Sequence, residues 1–212
     1  MRVGVLASGS GTNLQSLIDS AASGALGPAT LAVVGVNVPD CGALARARGA
    51  GIPTFVVDHR GFTQRALFDQ ALLGALRLHD VELVVLAGFM RLLGADLLAA
   101  FPARVINVHP ALLPAFPGVH AQAQSFAYGV KLAGCTVHFV DTGVDSGAVI
   151  AQAAVPVLDG DDAEALRLRI LAQEHLLLPA VVRAFAEGRV SVEGRRVRVV
   201  GEKTSPDRLV SF

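Results

Sequence analysis

The chain has only two cysteines in 212 residues, Cys41 and Cys135, far apart and without metal-ligand spacing. That excludes a disulfide framework, predicts no metal centre, and reads both thiols as small apolar residues of a reduced protein. An excess of either charge is also missing. Eighteen basic residues face 18 acidic ones, so nothing favours broad binding to nucleic acid or to an anionic membrane. A local site can still hold an anionic small molecule. Lysine is nearly absent, two against sixteen arginines, and we draw no function from that. No apolar run approaches the ~20 residues needed to cross a bilayer. The run opening the chain, Met1 to Gly9, is too short for the apolar core of a signal peptide. These absences predict a soluble cytoplasmic protein that acts on small molecules. What is present is a chain 52% hydrophobic and 17% charged, which suits an α/β protein with a covered sheet. Its length fits one domain, with at most a small appendage.

Apolar periodicity and turn residues lay out an alternating pattern. Strands are predicted at Val3–Ala7, Leu31–Val36, Thr54–Val57, Glu82–Ala87, Val105–His109, Gly134–Val140 and Ala148–Val155. Between them fall helices at about Leu14–Ala21, Ala43–Ala50, Thr63–His79 and Ala121–Tyr128, with a long helix from Ala163 to about Glu187. In the Thr63–His79 helix Leu67, Ala71, Leu72, Ala75 and Leu76 form the apolar side. Pro179 is expected to break or kink the long helix. Short β-like pieces around Glu193-Gly194-Arg195 predict a hairpin, and the final dozen residues read as a peripheral tail. The predicted class is α/β: a Rossmann-like, mostly parallel sheet with helices on both faces.

The stretch Val105-Ile106-Asn107-Val108-His109-Pro110-Ala111-Leu112-Leu113-Pro114-Ala115-Phe116-Pro117-Gly118 carries the chemistry. Prolines at 110, 114 and 117 forbid regular structure after a short buried strand. Asn107 and His109 lie two apart, on one face of that strand, and strand ends are where α/β sheets bind ligands. A neutral amide beside a group that titrates near neutrality suits a reaction that develops an oxyanion and moves a proton. Taken alone, Asn107 capping a turn and His109 as a satisfied core histidine would explain the same residues.

Other stretches are equally open when read by themselves. Ser8-Gly9-Ser10-Gly11-Thr12-Asn13 joins a strand to a helix, as a tight βα turn or as a loop presenting N–H groups to an anion. It has no third glycine and no Walker lysine. Gly88-Phe89-Met90-Arg91-Leu92-Leu93 is core packing or one wall of a pocket. Asp141-Thr142-Gly143-Val144-Asp145-Ser146-Gly147 reads as a turn, without the further ligands of a calcium site. Arg65 and Glu174 would be ordinary surface, and His120 and His138 structural residues.

Asn107-x-His109-Pro110-x-Leu112-Leu113-Pro114, followed by Phe116-Pro117-Gly118, resembles the folate-dependent formyltransferases, in particular those that formylate 5-phosphoribosylglycinamide. The resemblance runs from Ser8 to about Glu174. It implies a single formyltransferase domain over 1–190, with a phosphate-binding half (1–100), a catalytic and folate-binding half (101–190) and a C-terminal hairpin and tail (191–212). It implies catalysis by Asn107, His109 and Asp145, the last from the Asp-x-Gly-x-Asp-x-Gly loop. It implies a ribonucleotide site of Gly11, Thr12, Asn13, Gln173 and Glu174. Folate contacts would come from Arg65, Met90, Arg91, Leu92, Leu93, Asn107 and Asp141. The implied reaction uses 10-formyltetrahydrofolate as co-substrate and no metal, in a monomer or homodimer.

Three rivals fit less well. A methionyl-tRNA formyltransferase would carry Arg-Gly after the loop's last aromatic, and an added C-terminal domain. Phe116-Pro117-Gly118 stands there instead, with about ninety residues following. A formyltetrahydrofolate hydrolase would carry an N-terminal regulatory domain, whereas here the first strand opens the chain. A dinucleotide-binding module would place an acidic residue where Asn37 ends the second strand.

Overall fold

The computed structural model describes residues 1–201 and the backbone of Val210 and Ser211. It forms two compact units, Met1–Asn107 and Val108–Phe212.

The first unit runs β1 (Arg2–Ala7), α1 (Thr12–Ala22), β2 (Thr30–Val36), α2 (Gly42–Gly49), β3 (Thr54–Val56), α3 (Arg65–Leu78), β4 (Leu83–Leu86) and α4 (Ala95–Ala100). It ends inside β5 (Val105–His109). Every strand pairing is parallel, in the order β5-β4-β1-β2-β3. Val3, Val5, Leu6 and all four residues of β4 are fully or almost fully buried, because crossover helices cover a parallel sheet. The chain steps outward from β1 to β3, then returns to the other side of β1 for β4 and β5. With right-handed crossovers, that reversal sends the two helix pairs to opposite faces. Accordingly α1 packs on α2, and α3 on α4. The carboxyl ends of β1 and β4 therefore flank the point where strand order reverses, the usual ligand crevice of such sheets.

The predicted inward side of α3 needs correction. Phe68, Asp69, Leu72 and Leu76 are buried, while Leu67 is 47% exposed. A polar residue in the inward row misled the pattern: buried Asp69 accepts the N–H of Gly94 at 2.8 Å and thereby holds the start of α4. Helix α4 was not foreseen, since six residues carry too little periodicity.

The second unit contains α5 (Ala121–Tyr128), the antiparallel pair β6 (Leu132–Phe139) and β7 (Val149–Pro156), and α6 (Ala163–Ala186), which packs on both strands. The hairpin of β8 (Val190–Glu193) and β9 (Arg196–Val199) follows. Pro179 does not break α6, which continues to Ala186. An interior proline costs about 3 kcal/mol. Leu177, Leu178, Val181 and Val182 are buried around it, and each such side chain stabilises by about 1.5–3 kcal/mol, so packing wins. The expected peripheral tail is also corrected in part. Val210 and Ser211 form β10, antiparallel to Ala153 and Gln152 of β7, while 202–209 and 212 lie outside the described residues. Among the described residues no helix is long and apolar enough to cross a membrane.

Candidate active site

In the first unit, the loop after β1 is held close to the start of α2. Gly11 has φ +75°, and a Cβ there would lie 2.6 Å from the Cα of Ala43, so conformation and space both require glycine. The N–H of Ala43 donates to the Gly9 carbonyl at 3.0 Å. Arg46 Nε donates to the Ser10 carbonyl at 2.9 Å, and its Nη1 to Gln15 Oε1 at 3.0 Å. Thr12 and Asn13 thus open α1 from a braced loop, and a first helical turn directs N–H groups and partial positive charge outward.

The stretch after β4 divides between the two roles that its sequence allowed. Phe89 and Leu93 are buried, with Phe89 stacked on Phe68 at 6.5 Å. Met90 and Leu92 are more than half exposed, and Arg91 is exposed. Gly88, at φ +72°, turns the chain so that the Met90 N–H donates to Ser8 Oγ at 2.8 Å. Arg65 opens α3, where the helix dipole disfavours a cation, but Asp69 Oδ2 one turn later lies 3.9 Å from its Nε. Burial raises the Asp69 carboxyl, against the Gly94 N–H and Arg65. Asn107 is half-buried on β5, in register with Leu86 of β4.

His109 follows two residues later on the same strand, 4% exposed. In the second unit its Nε2 lies 2.8 Å from the Phe116 carbonyl and its Nδ1 3.3 Å from Asp145 Oδ2. A carbonyl only accepts, so Nε2 carries a proton. Burial pushes the imidazole below the usual 6.5, outweighing the Phe116 carbonyl and Asp145, which both favour the charged ring. Asp145 Oδ2 accepts the Gly118 N–H at 2.7 Å, and Oδ1 lies 3.5 Å from His138 Nε2. Burial pushes this carboxyl up, but His138, the Gly118 N–H and His109 together hold it below the usual carboxylate range.

His138 is the structural strand residue that the sequence suggests, and it also meets the aspartate. It is buried on β6, its Nδ1 bonded to the Phe139 carbonyl at 2.8 Å, and its Nε2 meets the aspartate oxygen that His109 does not. The available signal was an ionisable ring in a mostly apolar strand that feeds the aspartate loop. Backbone strain gathers here too, with positive φ at Phe116, His120 and Asp145. Tyr128 supports Phe116 edge-on at 5.7 Å. His120 itself is exposed at the start of α5.

Asp141 shapes the loop, its Oδ1 accepting the Gly143 N–H at 3.0 Å and the Ser146 hydroxyl at 2.7 Å. Arg195 in the hairpin turn donates to the Ser146 carbonyl at 3.0 Å. Glu174 is not the surface residue that α6 alone suggested: it is 4% exposed, and Gln173 is half-buried. Burial, with Glu174 adding to it, pushes the Cys135 thiol up to about 12, which leaves that thiol inert. Among the described residues no group of three or more His, Cys, Asp or Glu is placed to hold a metal ion.

Residues 1–182 match the formyl transferase family. The chain belongs to that family. Among formyl transferase relatives, the phosphoribosylglycinamide formyltransferase of Mycobacterium tuberculosis (strain H37Rv) is 48% identical over 194 residues, covering 92% of this chain and 89% of that protein. The trifunctional purine biosynthetic protein adenosine-3 of Drosophila melanogaster is 46% identical over 188 residues, 88% of this chain but only 14% of that protein. The crystal structure of glycinamide ribonucleotide transformylase 1 from Symbiobacterium toebii superposes with TM-score 0.91 at 53% identity, covering 94% of this chain and 93% of that one. The α/β, mostly parallel reading of the sequence agrees with that structure.

Proposed function

We propose that the chain transfers the formyl group of 10-formyltetrahydrofolate to the amine of 5-phosphoribosylglycinamide, a step of purine biosynthesis. The observation that carries this reading is the pair of buried His109 and half-buried Asp145, 3.3 Å apart, in a chain of this family. The amine nitrogen attacks the formyl carbon, giving a tetrahedral oxyanion. Asn107 donates a hydrogen bond to that oxygen. His109 supports the same charge, and because negative charge develops only there, the imidazolium is favoured more in the transition state than at rest. The carbon–N10 bond then breaks, and the amine proton passes by way of Asp145 and water to the folate nitrogen. His138 and the Gly118 N–H keep Asp145 ionised and aimed for that relay.

The first helical turn at Gly11, Thr12 and Asn13 takes the phosphate, and Gln173 and Glu174 take the amine and ribose. The exposed apolar side chains of Met90 and Leu92 line the pterin site with the Arg91 and Leu93 backbone. Asn107 and the Asp141 loop complete the folate contacts, and Arg65 meets the acidic end of the folate. We place the enzyme in the cytoplasm, as a monomer or homodimer, with residues 1–190 as the formyltransferase domain. A spectrophotometric assay of formyl folate with and without the ribonucleotide tests the reading. Turnover only with the ribonucleotide supports it. Folate consumption without it indicates a hydrolase, and no turnover by folded protein indicates a binding module.

A further inference from the structure

Three strand ends of the first unit meet in one polar network that the proposed chemistry does not use. Ser8, just past β1, donates its hydroxyl proton to Asn37 Oδ1 at 2.6 Å and accepts the Met90 N–H at 2.8 Å. Its own backbone N–H donates to the Gly88 carbonyl at 3.0 Å. Asn37, just past β2, is 1% exposed, and its carbonyl accepts His59 Nδ1–H at 2.9 Å, which fixes that ring's tautomer. A hydroxyl has one proton to give, and Asn37 takes it while a lone pair receives the Met90 N–H, so both partners orient the Ser8 hydroxyl. The network sits at the reversal of strand order between β1 and β4. One residue beyond Ser8 begins the Gly9–Asn13 loop, and Met90 opens the exposed apolar stretch.

We infer that Ser8, held by Asn37, is a positioning residue shared by the two substrates: one hydroxyl fixes both the ribonucleotide loop and the folate stretch. The inference rests on the transferase reading above. Neither residue touches the reacting atoms, so losing the hydroxyl weakens both binding sites and spares the chemical step.

Steady-state kinetics on Ser8→Ala, Ser8→Thr and Asn37→Ala, with both substrates varied, test this. Ser8→Ala should raise both KM values by about five- to ten-fold, the worth of one hydrogen bond, with kcat within about two-fold. Ser8→Thr restores the hydroxyl and should return both KM values toward wild type, which a general loss of packing would not produce. Asn37→Ala should reproduce Ser8→Ala, and if it fails to fold, the Ser8 pair still decides. A Ser8→Ala enzyme in which neither KM rises, or only one does, overturns the shared role. An inactive wild type would instead overturn the transferase reading itself.

Discussion

Asp145 is held on three sides by groups that favour its charge, and each makes a separate demand on the site. Replacing it with asparagine keeps the shape but removes the charge beside His109 and the proton acceptor. We expect kcat to fall by about 100- to 10,000-fold, the usual worth of a positioned acid–base group. Asn107→Ala should cost roughly 100- to 1000-fold in kcat, because one oxyanion donor is lost. Steady-state rates with both substrates saturating check these values, and a change under about three-fold would remove either residue from the chemistry.

His109 and Asp145 both have folded pKa values below their ordinary ones. The native state therefore binds fewer protons than the unfolded chain, and stability falls as pH falls. For His109 the contribution is complete above the usual 6.5 and is lost as pH drops through the depressed folded value. For Asp145 the same loss follows at lower pH, below 3.8. Urea unfolding between about pH 7 and pH 5 should show a smaller loss of stability in His109→Gln than in wild type. Equal losses would mean that burial of the ring does not govern its titration.

Among the elements, α3 separates periodicity from packing most clearly. Leu72 and Leu67 look alike in the sequence, yet one is fully buried and the other half exposed. Leu72→Ala should destabilise by about 2–5 kcal/mol, and Leu67→Ala by less than about 0.5 kcal/mol, as measured by chemical denaturation. Similar costs would contradict the register of the helix. The elements most legible beforehand were those with strong local signals. Apolar runs marked β1 and β4, β-prone residues around Asn107 marked β5, and Gly129 marked the end of α5 in the left-handed conformation it adopts. What escaped was decided by tertiary partners. Asp69 faces inward because a distant backbone N–H needs it, and α6 passes through Pro179 because its neighbours are buried.

At the scale of the whole molecule, the candidate site was legible as a set of residues but not as a set of bonds. Asn-x-His, the aspartate loop and the glycine loop stood out by residue type and spacing. The Phe116 carbonyl and the Gly118 N–H could not, since backbone groups carry no sequence signature; His138 showed only as an ionisable ring in a strand, which looks the same packed or partnered. The family match covers all of these residues, and the account stands or falls on the product. The most direct measurement is the mass of 5-phosphoribosylglycinamide after incubation with 10-formyltetrahydrofolate and the protein. We expect one formyl group gained on the amine with wild type, and almost none at equal times with His109→Ala or Asp145→Asn. An unchanged ribonucleotide with wild type, or full formylation by both variants, would contradict the account.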